Sequence, residues 1–130
     1  MPDVTLLPIL VATIAAFVLG ATYYALLGRQ LAEVSEAAAA AEPPPPWKIV
    51  VELLRCLILV TVVASLAAQG EIDEWIGGLL LGLALWIGFP LVLWTGALIH
   101  ESTPVRLAAI HAGDWLVKLL AVAVLVSVWQ

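Results

Sequence analysis

His111, Asp114 and Lys118 sit at i, i+3 and i+7 in "AAIHAGDWLVKLLAVAVLVSVW", residues 108–129, an otherwise largely apolar stretch. At about 100° per residue a helix would hold the three within about 60° of one another. An imidazole, a carboxylate and an ammonium on one face suit three tasks: moving a proton, holding a charged solute, or pairing with a neighbouring helix. A second set, Glu52 and Arg55, lies three residues apart in "IVVELLRCLILVTVVASLAAQ", residues 49–69. In hydrocarbon each such charge costs roughly 2.5–3.5 kcal/mol at a helix centre, so the groups are expected to meet partners. Glu52 and Asp114 balance Arg55 and Lys118, and His111 is able to add one positive charge.

The elements that position these groups follow from composition. The chain has 130 residues, 64% hydrophobic and 12% charged, with a mean hydropathy of +1.12. Soluble domains are about one quarter charged, so this is the composition of an integral membrane protein with a single domain. Four apolar runs each reach the roughly 20 residues that cross hydrocarbon as a helix: 4–27, 49–69, 75–99 and 106–129. Only Asp3 precedes the first run, which is also too long for the core of a signal peptide, so it is read as a retained helix. The expected fold is all-α, an up-down bundle of four transmembrane helices, because "GEIDEW" and "HESTPVR" are short enough to force antiparallel neighbours.

The longest connection is "GRQLAEVSEAAAAAEPPPPWK", residues 28–48. Leu31, Val34 and the alanines favour continuing the first helix into water. Prolines 43–46 are then expected to forbid helix and impose an extended spacer before Trp47 and Lys48 re-enter the interface. Arg29 and Lys48 flank this loop and Arg106 closes the third, whereas the second loop and both termini carry no Lys or Arg. That bias assigns loops 28–48 and 100–105 to the cytoplasm and both termini to the outside.

Spans two and four then rise from the same side. Glu52 and Arg55 lie about 6 and 10 Å past Lys48, and His111, Asp114 and Lys118 about 8, 12 and 18 Å past Arg106. The two sets overlap in depth, which predicts a polar cluster between spans two and four. Arg55–Asp114 and either Glu52–His111 or Glu52–Lys118 are the expected pairs. Tyr23 and Tyr24, near the same depth on span one, act either as interfacial anchors or as hydroxyl donors to the cluster.

Such a cluster serves either a small transporter or channel, with proton coupling through His111, or a structural subunit whose charges fix helix packing. So short a chain encloses little space alone, so the first reading expects a homo-oligomer and the second a larger membrane complex. No nucleophile–base pair stands out, and His100, Glu101, His111 and Asp114 match no familiar metal spacing, so neither enzyme nor metal nor cofactor is expected. Five Lys and Arg in all offer no nucleic-acid surface. The lone Cys56, in an apolar run, reads as a small core or lipid-facing residue.

Span three carries packing signals. Gly78 and Gly82 in "GLLLG" permit close helix approach, Ala84 and Gly88 repeat the step, and Pro90 is expected to kink the helix and free a carbonyl. Trp47 and Trp75 fit the interfacial belt, and Trp86, at mid-span, is expected to face protein.

These stretches resemble the DUF1761 family of uncharacterised bacterial membrane proteins. "AAFVLGATYYALLG", residues 15–28, is similar to the family's opening through Gly20, Tyr23-Tyr24 and Leu27-Gly28, with Tyr23 where Trp is usual. "WIGF" at 86–89, the short loop after "IHE", and "IHAGDWLV" at 110–117 are similar to its second half. The family often has Asn-Ala-Gly-Tyr-like residues at that last motif, so His111 and Asp114 depart from it. The resemblance implies four spans, a place in a bacterial inner membrane and no assigned chemistry.

Overall fold

The computed structural model describes residues 6–35 and 45–129. Among these, the chain forms α1 (Leu6–Val34), α2 (Pro46–Gln69), α3 (Trp75–Gly88), α4 (Pro90–His100) and α5 (Val105–Val128), with no strand. The third span is α3 and α4 together, so four helical stretches are long and apolar enough to cross a bilayer. The fold is an all-α bundle of four membrane-spanning helices.

Each boundary has a local cause. α1 has 29 residues, about 44 Å at 1.5 Å per residue, and so outruns a hydrocarbon layer of about 30 Å. The alanine run and prolines 43–44 lie outside the described residues. Pro45 is extended, with φ −66° and ψ 156°, but Pro46 is the first residue of α2. The expectation that all four prolines exclude helix is thereby corrected. The first helical position needs no N–H donor and suits proline's fixed φ, so Pro46 starts the helix three residues before the expected entry. In the third span, Phe89 leaves helical geometry with φ −123° and ψ −75°, and Pro90 begins α4. Pro90 cannot donate to the carbonyl one turn back, which produces the break. The two short connections turn through left-handed residues, Glu71 at φ 55° and Ser102 at φ 52°.

α5 is the central helix and packs against each of the other four. α1, α2 and α5 touch one another, while α3 and α4 pack on α5, leaving α2 and α3 without extensive contact despite their short connection. Glycine explains the asymmetry. A Cβ on Gly78 would come within 2.7 Å of the Ala123 carbonyl oxygen, and one on Gly82 within 2.7 Å of the Leu119 carbonyl oxygen. α3 therefore lies backbone to backbone on α5, as small-residue spacing allows.

The apolar core occupies one half of the bundle. Ala12 and Ala16 of α1, Val60, Val63, Ala64 and Ala67 of α2, and Val122, Ala123 and Val126 of α5 are all nearly or fully buried. Their small and β-branched side chains let three helices close tightly. Three hydroxyls in the spans bond to carbonyls one turn back, Thr13 to Ile9 at 2.7 Å, Thr61 to Leu57 at 2.8 Å and Ser65 to Thr61 at 2.8 Å, which meets their need in lipid. The buried Ser127 hydroxyl has no such partner among the described residues. The opposite end carries Arg29, Lys48 and Arg106. There Arg106 Nη2 meets Glu33 Oε2 at 2.8 Å and ties the extension of α1 to the start of α5.

Candidate functional site

Five consecutive residues of α5, Ile110 to Asp114, each meet another span. The Tyr23 hydroxyl donates to the Ile110 carbonyl at 2.5 Å, and the Trp86 indole N–H donates to the Ala112 carbonyl at 2.8 Å. Tyr24 Oη lies 2.7 Å from His111 Nδ1 and also donates toward Asp114 Oδ2 at 3.3 Å. Gly113 has no room for a side chain, because a Cβ there would overlap the Tyr23 hydroxyl. The motif is thus the polar hub of the bundle, and spans one and three are keyed to it by hydrogen bonds. Trp86 faces protein as its mid-span position demands.

One turn beyond Asp114, Lys118 turns back along the helix. Its Nζ lies 3.1 Å from Asp114 Oδ2 and 3.7 Å from Glu52 Oε1 on α2. The Lys118 and Asp114 side chains are 9% and 6% exposed. Gly20 on α1 makes the space, since a Cβ there would stand 2.9 Å from Lys118 Cε and 3.1 Å from Nζ. Glu52 also bonds Arg55 on its own helix at 2.6 Å, with Arg55 63% exposed. Cys56, buried, sets its Sγ 3.9 Å from Glu52 Oε1.

Of the cross-helix pairs expected from depth, Glu52–Lys118 forms. The Arg55–Asp114 pair does not, and this corrects that expectation. Glu52 lies one turn back on the same face of α2, so Arg55 pairs locally and lets its head reach toward the interface. His111 likewise pairs with Tyr24 rather than Glu52. Its ring stacks on Trp94 of α4, with centroids 4.9 Å apart and planes at 11°. Trp94 reaches this position because the break at Phe89 re-aims the helix, which no spacing in the sequence indicated. Gly20 and Gly113, which clear space for Lys118 and Tyr23, were equally unmarked as site residues.

These groups share one cleft of about 910 Å³. Tyr24, Glu52, Arg55, His111, Asp114 and Lys118 line it, together with Lys48 at the start of α2 and Trp94 and Trp115. Its margin is apolar: Ile58 and Val62 line it and are 64% and 52% exposed. From the rim inward the polar groups form a chain, Arg55 to Glu52, Lys118, Asp114, Tyr24 and His111, with steps of 2.6, 3.7, 3.1, 3.3 and 2.7 Å. Tyr24 has one hydroxyl proton and two acceptors within reach, so the proton's position is coupled to the tautomer of His111. Among the described residues, no three His, Cys, Asp or Glu side chains converge as metal ligands.

A family model described as "Protein of unknown function (DUF1761)" matches residues 7–127, nearly the whole chain. No curated protein and no solved structure matches it.

Proposed function

The chain belongs to the DUF1761 family of proteins of unknown function, and on that premise we propose that it is a small proton-coupled membrane transporter whose solute site is the cleft. One observation carries the reading: all five intramembrane ionisable residues line a single open cleft. Groups serving only as glue between helices would be expected to close on one another away from any opening. Here Lys118 and Asp114 are closed, while Glu52 and Arg55 stand at the opening. A carboxylate–ammonium–carboxylate–phenol–imidazole series is suited to exchanging a proton when a solute charge arrives or leaves.

Lys48 lines the cleft at the end that the Lys and Arg bias assigns to the cytoplasm, with both termini outside, and the family resemblance makes the membrane a bacterial inner membrane. In the opposite half, among the described residues, α1, α2 and α5 close on a packed apolar core. A transporter of this size therefore works by rearrangement or as a homo-oligomer, with α3 and α4 offering the less covered surface.

The test is flux. Protein reconstituted in vesicles loaded with a pH-sensitive dye is expected to couple proton movement to one member of a solute panel. The double variant Asp114→Asn with Lys118→Met is expected to keep its helicity and elution volume while losing that flux. Unchanged flux in the folded variant refutes the reading. Loss of the fold favours the second reading, a structural subunit of a membrane complex. That reading is supported by the closed Lys118–Asp114 pair at the junction of helices, and co-purification of a larger assembly would favour it.

A further inference from the structure

The charge of the cleft opposes the charge of the chain. The protein has a formal net charge of −5, yet the cleft is lined by Lys48, Arg55 and Lys118 against Glu52 and Asp114. With His111 neutral that leaves a single positive charge, three minus two. The two carboxylates are already occupied by Lys118 and Arg55. Arg55 engages Glu52 through Nη1, and a guanidinium has five N–H donors, so most of its donors remain free. Lys48 and Arg55 are seven residues apart on α2, about 10 Å along the helix, on the face that turns to the cleft. Side chains lean toward the helix N-terminus, which brings the guanidinium back toward Lys48 and the interface.

Beside and beyond these cations α2 presents an apolar flank. Ile49, Ile58 and Val62 of α2 line the cleft and are 41%, 64% and 52% exposed, and Phe17 and Trp115 form the facing surface. The opening therefore faces the surrounding lipid along its flank. Its cations not closed into a buried pair, Lys48 and Arg55, stand toward its interfacial end, while Lys118 deeper in is held by Asp114 and Glu52. A volume of about 910 Å³ lies within the range of small-molecule sites.

From this arrangement we infer that the cleft binds a single-chain amphiphile with one negative charge, a long-chain carboxylate, which enters laterally from the bilayer. The headgroup sits between Lys48 and Arg55, with bidentate contact to the guanidinium, and the chain lies along Ile58 and Val62. The inference names the solute class of the proposed transport site and rests on that reading of the cleft, but it is tested by binding alone.

Trp94 and Trp115 line the cleft, so brominated chains bound there quench tryptophan fluorescence. The protein in vesicles of unbrominated phosphatidylcholine is titrated with dibrominated stearate, at a pH where it is ionised. Parallel titrations use the dibrominated alcohol of the same chain and a dibrominated phosphatidylglycerol. Stearate is expected to quench at the lowest mole fraction. Lys48→Gln and Arg55→Gln are each expected to weaken that binding about fivefold, as loss of one interfacial cation would. Arg29→Gln, an exposed cation outside the cleft, is expected to leave it unchanged, and Trp94→Phe to remove much of the saturable quenching. Equal quenching by the alcohol overturns the anionic assignment, and equal quenching by phosphatidylglycerol overturns the single-chain one. An equal loss in Arg29→Gln reduces the effect to general surface attraction and overturns the site. Binding without any flux leaves the inference standing and removes the transporter.

Discussion

Lys118 Nζ stands 3.1 Å from Asp114 Oδ2, one turn apart on α5, with both side chains more than nine-tenths buried. Removing one member of such a pair leaves the other charge in a medium that cannot hydrate it. Lys118→Met is therefore expected to destabilise the protein by about 3–5 kcal/mol, and the double variant Lys118→Met with Asp114→Asn by clearly less. Thermal or denaturant unfolding in detergent micelles, followed by helicity, measures both. Equal losses in the single and double variants would show that the pair contributes through packing instead of charge. Glu52, 3.7 Å from the same ammonium, shares that partner with Asp114, so a double-mutant cycle between the two carboxylates is expected to show coupling.

The two adjacent tyrosines should respond unequally to loss of the hydroxyl. Tyr24 faces His111 Nδ1 at 2.7 Å and Asp114 Oδ2 at 3.3 Å, so Tyr24→Phe strips a partner from two side chains at once. Its expected cost is about 1–3 kcal/mol, the range for buried polar groups left unmet. Tyr23 donates to the Ile110 carbonyl, which stays within the helix and keeps its place in the backbone ladder. Tyr23→Phe is expected to cost about 0.5–1.5 kcal/mol. Nitrogen NMR of labelled His111 supplies an independent reading: its tautomer balance should move in Tyr24→Phe and stay put in Tyr23→Phe.

Gly20 and Gly28 lie two turns apart on α1 and predict opposite outcomes for the same change. A methyl at Gly20 would press on the Lys118 side chain at 2.9 Å from Cε, whereas nothing stands within 4 Å of one at Gly28. Gly28→Ala should gain up to about 1 kcal/mol from helix propensity. Gly20→Ala should lose about 1–3 kcal/mol as the ammonium is pushed from its carboxylates. Because the obstructing atoms end a flexible chain, the protein is expected to fold, so the same variant also reports on flux with Lys118 displaced.

Much of this site was legible because helical geometry is regular. The four apolar runs fix the spans, and a common rise from Lys48 and Arg106 brings the two charged sets to overlapping depths. Glu52 and Lys118 themselves stand about 12 Å apart on that rise and meet because the long Lys118 side chain leans back toward the start of its helix. Spacing could not decide which of several reachable partners a long side chain takes. Arg55 chose Glu52 on its own helix, where the ordering cost is smaller, over Asp114 across an interface. Nor could spacing give rotation between helices. That Trp94 stacks on His111 depends on how α4 leaves the break at Phe89, and that Gly113 meets Tyr23 depends on how α1 lies on α5. Pro46 misled because proline's effect depends on position, forbidding in a helix interior and favourable at its first residue.

The glycines of span three separate close contact from open surface more sharply than any other set. At Gly78 and Gly82 the obstructing atoms are the Ala123 and Leu119 carbonyl oxygens of α5, both 2.7 Å from the added carbon, and a helix backbone cannot yield as a side chain does. Gly88 and Gly96 have nothing within 4 Å. Gly82→Ala is therefore expected to prise α3 from α5 and cost at least about 1–3 kcal/mol, the range for overpacking. Gly88→Ala and Gly96→Ala should be neutral or slightly favourable. Since Trp86 on α3 donates to the Ala112 carbonyl, separation of α3 should also loosen the polar hub. A disulfide engineered across α3 and α5 provides the check. Its yield should fall in Gly82→Ala and hold in Gly88→Ala. If both variants cross-link equally, the two helices are held by something other than glycine-mediated backbone contact.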